Sequence, residues 1–510
     1  MVPSHIAVLG GGITGLSAAY HLARRFPSSR ITLLEKERRL GGWLRSERVE
    51  VTHGADRADV LLESGPRTLR PNSKALLELI HLLGLRDSLI TTPVTSPAAT
   101  RRFLHIPGTK GLTALPSSPR SLFTSPLARL LIPSILREPW IKPNRPHDAD
   151  DESFDAFVSR RFGNEVARVF GSALVHGIYA ADSRELSVRA AFPTLWEAEE
   201  RGKGSVLKGF LKRRKDVRSK EGDDYELGDV VVAMKGVSVY SFRDGIETLA
   251  TRLAKALHHA SNVTVRTTQQ VTGLCFVHGS SDIDISLSSS QPPLRASHIV
   301  STLPLPTLST LLPSSHILPH LTATKPSSVV VINIIFPPTS TPIHPPGFGY
   351  LVPRPVEGYT EENEGVLGTV FDSAALDAQD VYYHSSRTGR GSQEQSGGRF
   401  TKLTMMLGGP HTHILNNTSQ STTPSRMLPL LASHLGIPLS SLPPPLHFRV
   451  TLQKDCIPAP RVGHVRRMEE LKDALKRGPW NGRVEVVGAG VGGVSVGDCV
   501  RAGREAGRGW

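Results

Sequence analysis

Gly10-Gly11-Gly12-Ile13-Thr14-Gly15, close to the start of the chain, is the first stretch whose residue types and spacing could do chemistry. It fits G-x-G-x-x-G between a short apolar run at residues 6–9 and a helical pattern carried by Leu16, Ala19, Tyr20 and Ala23. Glycines there let backbone amides approach a pyrophosphate, and the helix just after them turns the positive end of its dipole toward it. Glu35 lies 20 residues beyond Gly15, at the end of a second apolar run. A carboxylate at that place can accept hydrogen bonds from both hydroxyls of a ribose, and its charge argues against the 2′-phosphate of NADP. Because the three signals coincide, a dinucleotide site is a better account than a merely tight turn.

Other chemistry-bearing residues lack the spacing that would put them to use. His258-His259 and His411-Thr412-His413 have no H-E-x-x-H or C-x-x-C partners, so surface or helix-end histidines are expected rather than metal ligands. Cys275, Cys456 and Cys499 are odd in number and far apart, which disfavours both a disulfide framework and a zinc site and favours a reducing compartment. No Ser/His/Asp catalytic arrangement is found. The 60 Lys and Arg against 46 Asp and Glu leave a net charge of +14, which points to an anionic partner such as nucleic acid, a lipid surface or an acidic substrate. Aromatics make up only 6% of the chain and do not interleave with the basic residues, which speaks against nucleic acid.

Arg39-Leu40-Gly41-Gly42 comes shortly after the ribose-type acid and resembles the R-x-G-G element of the flavin amine-oxidase superfamily, whose cofactor is FAD. Further segments narrow the resemblance to the protoporphyrinogen oxidases of the haem pathway. They are Glu63-Ser64-Gly65-Pro66-Arg67, Arg102-Phe103-Leu104, His176-Gly177-Ile178-Tyr179-Ala180-Ala181-Asp182, Gly347-Phe348-Gly349-Tyr350-Leu351, Met405-Met406-Leu407-Gly408-Gly409 and Cys456-Ile457-Pro458. The glycine-rich stretch from Gly488 to Asp498 resembles the last flavin-contacting element of that family, where a helix start faces the ring system. The resemblance implies that FAD is held by Gly10, Gly11, Gly12, Ile13, Thr14, Gly15, Glu35, Lys36, Arg39, Gly42, Trp43, Gly65, Pro66, Arg67, Thr68, Val271, Ala489, Val494, Ser495 and Val496. It places a tetrapyrrole between Leu351, Val370 and Met406, with Arg102 anchoring a propionate. An arginine suits that anchor because its planar fork pairs with a carboxylate bidentately.

The activity so implied is oxidation of protoporphyrinogen IX to protoporphyrin IX by FAD and molecular oxygen, releasing hydrogen peroxide. No residue is assigned as acid or base, and no metal is implied. The partners implied are the tetrapyrrole, oxygen and a membrane lipid surface, without nucleic acid, and a homodimer is allowed. Peripheral, monotopic attachment to the mitochondrial inner membrane goes with them. Two alternatives stand beside this reading: another FAD-dependent amine oxidase or desaturase of the superfamily, and a non-catalytic prenyl-binding protein of the Rab-GDI kind. Retention of Arg39-Leu40-Gly41-Gly42 and of the C-terminal glycine element speaks against the second.

The elements that must position these residues are set by periodicity. Strand, helix and strand within about 30 residues make a βαβ unit, so the class is α/β, mixed α+β overall. With 510 residues of which 39% are hydrophobic, more than one core can be buried. Composition and pattern divide the chain into a Rossmann-like FAD-binding domain built from residues 1–95, 221–302 and 451–510, an inserted helical, membrane-associating domain at 96–220, and a substrate domain with an antiparallel sheet at 303–450. Residues 203–220 are strongly basic and read as a solvated linker, and residues 382–399 as a surface loop. Within 117–140, Leu122, Phe123, Leu127, Leu130, Leu131, Ile132, Ile135 and Leu136 offer apolar anchors among Arg120, Arg129 and Arg137. No window is long and apolar enough to span a bilayer. The glycines that close the sequence lead us to expect a frayed final helix.

Overall fold

The computed structural model of the protein describes residues 2–146, 150–212, 224–276, 282–288, 292–383 and 399–510. Most of the basic linker, from 213 on, and most of the 382–399 loop lie outside the described residues.

A five-stranded sheet, ordered Val484–Val486, His298–Ser301, His5–Leu9, Arg30–Leu34 and Val263–Arg266, is parallel throughout. Its strands come from the beginning, the middle and the end of the chain. His5–Leu9 is buried along its whole length, because Ile6 and Val8 enter one apolar core while Ala7 and Leu9 enter another on the opposite face. Helices Ile13–Arg25 and Val496–Glu505 cross closely on the first of these faces. A Cβ built on Gly503 would lie 2.6 Å from the Thr14 carbonyl oxygen, so only glycine permits that approach. Covering both faces is what a parallel sheet requires.

The second large sheet has seven strands, ordered His447–Pro458, Pro326–Phe336, Thr401–Gly408, Val366–Val370, Gly349–Leu351, Phe103–Leu104 and Thr113–Ala114. All its pairings are antiparallel except that of Gly349–Leu351 with Phe103–Leu104. This sheet redraws two of the expected boundaries. Phe103–Leu104 and Thr113–Ala114 belong to it although they fall in the 96–220 range, and His447–Pro458 runs on past residue 450. One face carries Ile332, Tyr350, Leu403, Met405 and Leu407 into a core closed by the helix Pro424–Leu435, with Met427 and Leu431. The opposite face looks toward the segment after the strand Asp56–Glu63.

A third, helical body includes Phe154–Phe162, Ser172–Tyr179, Pro193–Arg201 and Val206–Leu211 around Phe154, Phe157, Tyr179 and Trp196. Its fixed point is a fully buried ion pair. Glu138 accepts from Arg161 at 2.6 Å, from Ser205 Oγ at 2.7 Å and from the Val206 amide at 2.8 Å, so the buried charges are paired and both carboxylate oxygens are satisfied. This clamps the end of the 117–140 segment to the start of the Val206–Leu211 helix.

Expectation and structure part at the C-terminus. The last helix holds to Glu505, and the residues after it are tied down: Trp510 Nε1 donates to the Gly482 carbonyl at 2.9 Å and the Gly507 amide to Glu485 at 2.9 Å. The tail glycines lie beyond the helix, so they do not weaken its interior.

Candidate functional site

The glycine turn is shaped by clashes it avoids. Gly10 has φ +100°, and a Cβ on Gly15 would stand 1.9 Å from the Gly10 carbonyl oxygen. At Gly12, the cap of helix Ile13–Arg25, a Cβ would meet nothing within 4 Å, so the helix start is open on that side. That opening is where an anionic pyrophosphate fits. The loop 39–43 closes one side of it. Gly41 donates to the Gly11 carbonyl at 2.8 Å, and a Cβ on Gly42 would sit 3.2 Å from Gly12 Cα.

Glu35 stands at this turn, but its oxygens already serve the backbone: Oε2 accepts from the Gly11 amide at 2.6 Å and Oε1 from the Glu37 amide at 2.8 Å. A carboxylate has about four acceptor directions, which leaves room for ribose hydroxyls. Arg39 is occupied too, donating to the Leu40, Gly42 and Leu44 carbonyls and to Glu247, so it shapes the loop. Ile13 is half-buried and Thr14 buried; Lys36 is exposed beside Glu37; Val271 is buried in the core beneath the sheet. Trp43 is 46% exposed, and its carbonyl oxygen would lie 2.3 Å from a Cβ on Gly65, which brings the segment 63–68 against the loop. Pro66 is exposed, Thr68 half-buried and Arg67 buried.

At the end of the chain, Gly488 comes near the Thr14 side chain, and Ala489 and Val494 are half-buried in the turn beyond it. Ser495 caps the helix Val496–Glu505 by accepting from the Asp498 amide at 3.1 Å. The loop before this helix therefore lies beside the start of helix Ile13–Arg25. Cys499, behind it, is kept a neutral thiol, burial pushing its pKa up to about 11.

The substrate-side residues meet across the seven-stranded sheet. Leu351 is the cross-strand partner of Gly368, and Gly368 that of Met406, so Leu351 and Met406 share one rung and one face. Val370, two residues beyond Gly368, points the same way. The structure thus brings Leu351, Val370 and Met406 together, all half-buried. A Cβ on Gly177 of helix Ser172–Tyr179 would come 2.7 Å from Leu351 Cδ2, so the helical body packs directly on Leu351 at this face. Arg102, just before Phe103–Leu104, is half-buried with its guanidinium 5.9 Å from the Phe348 ring. It makes no ion pair among the described residues; burial and then the charge of Arg70 hold its pKa below the usual guanidinium range.

One group escaped sequence reasoning. On the rung beside Leu351 and Met406, Val370, Thr404, Asn333 and Arg449 succeed one another across four strands. Asn333, 1% exposed, donates to Thr404 Oγ1 at 2.9 Å and to the Glu63 carbonyl at 3.2 Å. Its signal was visible as a single amide inside the apolar run Val330-Val331-Ile332-Asn333-Ile334-Ile335.

A family model for flavin-containing amine oxidoreductases matches residues 13–508. The chain belongs to that family. Among its relatives are the protoporphyrinogen oxidases of Macaca fascicularis, 35% identical over 98% of this chain and 97% of the relative, and of Homo sapiens, 34% identical with the same coverage. That of Schizosaccharomyces pombe is 30% identical over 99% of this chain and 98% of its own length. The fold is shared with a crystal structure from an Exiguobacterium species, provisionally named a protoporphyrinogen oxidase (TM-score 0.73, 20% identity, 98% and 97% coverage). It is also shared with cyclohexylamine oxidase from Brevibacterium oxydans (TM-score 0.59, 17% identity, 99% and 98% coverage). The cofactor of this family member is FAD, and the chain fits it: an uncrowded helix start at Gly12, a carboxylate at Glu35, and a guanidinium nitrogen of buried Arg67 that has no partner among the described residues.

Proposed function

We propose that this protein oxidises protoporphyrinogen IX to protoporphyrin IX. The observation that carries the reading is similarity along the whole chain to protoporphyrinogen oxidases, at 30–35% identity in three of them. Bound FAD supplies a two-electron acceptor, and molecular oxygen takes those electrons to give hydrogen peroxide. Three such rounds remove the six hydrogens by which substrate and product differ. The chain's own residues bind and orient. Leu351, Val370 and Met406 give an apolar wall for the macrocycle, the helix bearing Gly177 closes against Leu351 at its edge, and Arg102 fixes a propionate at the sheet's edge. Gly10, Gly12, Gly15, Glu35, Gly42 and the Ser495-capped helix hold the cofactor.

Attachment to a membrane surface belongs to the same proposal. No helix among the described residues is long and apolar enough to cross a membrane. Segment 117–140 forms helices Pro119–Thr124 and Ala128–Arg137, with no buried residue in the second. The anchor set changes: Leu127, Leu130 and Leu131 pack inward against Leu104 and Val169. Outward stand Phe123 (71% exposed), Leu136 (67%) and Trp140 (85%), joined by Phe210 and Leu211 of the neighbouring helix. Lys208 Nζ lies 5.8 Å from the Trp140 ring, so a cation stands beside the apolar patch where an anionic headgroup could meet it. We place it on the mitochondrial inner membrane, a location that rests on the family resemblance alone, and read the helices carrying this patch, within the expected range 96–220 but outside the two strands it lends to the large sheet, as the membrane-associating part.

The test is anaerobic mixing of the purified, flavin-containing protein with protoporphyrinogen IX. Bleaching of the flavin band, reversed by air with formation of protoporphyrin fluorescence, is the expected result. No bleaching with protoporphyrinogen but bleaching with a primary amine would move the chain to the amine oxidases.

A further inference from the structure

The segment 63–68 lies between the two halves of the site. On one side it touches the cofactor loops, through Gly65 against Trp43. On the other the seven-stranded sheet grips it: Gln453 Nε2 donates to the Ser64 carbonyl at 2.8 Å, Arg449 Nη2 to Ser64 Oγ at 3.3 Å and Asn333 Nδ2 to the Glu63 carbonyl at 3.2 Å. Arg67 is therefore at the junction where cofactor and substrate must meet. Its side chain is 5% exposed, and Nη1 donates to Asp372 Oδ1 at 3.2 Å. Nη2 is buried with no partner among the described residues. A guanidinium nitrogen left so would cost desolvation free energy without return, unless another group completes it.

Asp372 is not free to move. Its second oxygen, Oδ2, accepts from Thr404 Oγ1 at 2.5 Å; Thr404 in turn accepts from Asn333 at 2.9 Å, and Asn333 Oδ1 accepts from Arg449 Nη2 at 2.8 Å. Every member of the chain from Arg449 to Arg67 has its orientation set by the one before, and the chain runs along the rung next to Leu351 and Met406. We propose that Asp372 is the positioning residue for Arg67, and that Arg67 presents its unpaired N–H to the flavin. This deepens the proposed flavin chemistry and rests on it. The sheet that carries the substrate wall thereby also sets the aim of a cofactor contact, without Asp372 touching the cofactor.

The experiment measures FAD retention of the holoprotein by dialysis and fluorescence of the released cofactor, together with the visible flavin spectrum. Asp372→Asn keeps the size of the side chain and removes its charge; it should weaken FAD binding about tenfold, the loss usual for a charge-assisted hydrogen bond. The flavin bands should shift as they do in Arg67→Met. The double variant, Arg67→Met with Asp372→Asn, should lose no more FAD than Arg67→Met alone, because Asp372 acts only through Arg67. Thr404→Val, a milder change that removes only the hydroxyl holding Asp372, should give a smaller loss in the same direction and carries the test if Asp372→Asn does not fold. Multiplying losses in the double variant, or parent-like FAD affinity and spectrum in both Asp372→Asn and Thr404→Val, overturns the inference. A parent protein that binds no flavin would instead overturn the flavin reading itself.

Discussion

Arg102 and Glu35 show how differently single residues commit to a ligand. Glu35 is half spent on the backbone, holding the Gly11 and Glu37 amides, so its replacement removes a ligand contact and also loosens the turn. Glu35→Ala is expected to raise the FAD dissociation constant by about ten- to a hundredfold, the range for hydrogen bonds to a charged group, with the fold retained. Equal flavin content in variant and parent after extensive dialysis would refute the assignment. Arg102 is the opposite case: half-buried, repelled by Arg70 and without a carboxylate partner among the described residues, it is proposed to take an anion from outside. Arg102→Ala should lower kcat/KM for protoporphyrinogen at least about tenfold while flavin content stays constant, as expected when a desolvated charge loses its partner. Arg102→Lys should recover part of the loss, because a single ammonium replaces one arm of a bidentate pair. A substrate with esterified propionates should be nearly indifferent to both changes.

At the scale of elements, local rules were legible and long-range register was not. The glycine turn could be read because each glycine answers to a neighbour a few residues away: Gly15 to Gly10, and Gly10 to its own positive φ. Leu351, Val370 and Met406 needed segment matching, since which face a strand residue takes depends on partners far along the chain, and a one-residue slip reverses it. The irregularity between Val366 and Gly368 is such a point, for it sets which residue stands opposite Met406. Asn333 and Asp372 stayed hidden because their partners, Thr404 and Arg67, are brought in by pairing and not by spacing. In segment 117–140 the amphipathic pattern was visible, but not that Leu127 and Leu131 turn inward while the neighbouring Phe210 and Leu211 join the outer face. Trp140→Asp with Leu211→Asp should cut binding to anionic vesicles by more than about tenfold, since each large apolar side chain contributes about 1.5–3 kcal/mol on burial, and should leave turnover of detergent-solubilised substrate unchanged. Cosedimentation equal to that of the parent would remove the patch from the membrane contact.

At the scale of the whole molecule, buried titratable groups decide how stability responds to pH. Burial is the leading cause in each of four histidines, lowering His21 and His411 to about 3 and His176 and His298 to about 4, from an ordinary 6.5. The unfolded chain therefore takes up protons at these positions before the folded one does. Their contribution is present above pH 6.5 and is lost as pH falls toward 4 and 3. Glu63 works the other way. Buried between the cofactor loops and the sheet, it is raised from 4.5 to about 7, although the Ile246 amide and Ser46 hydroxyl both donate to it. Its folded form binds a proton that the unfolded form releases, so it favours folding below pH 4.5 and loses that effect as pH rises through 7. Between pH 6.5 and 4.5 the two tendencies oppose each other, the four histidines being joined by His5, His105, His344, His447 and His464, also lowered by burial, and Glu63 by the raised carboxyls Asp380 and Glu485; the histidines outnumber the carboxyls, and the melting temperature should fall on acidification. Glu63→Gln separates them. The amide keeps an oxygen for the Ile246 amide and cannot ionise, so at pH about 8, beyond the titration of the parent carboxyl, the variant avoids burying a charge and should melt higher. On acidification it has no compensating proton to bind, so its melting temperature should fall more steeply than that of the parent. Parallel curves for variant and parent across this range would show that Glu63 is ionised throughout and that the histidines act alone.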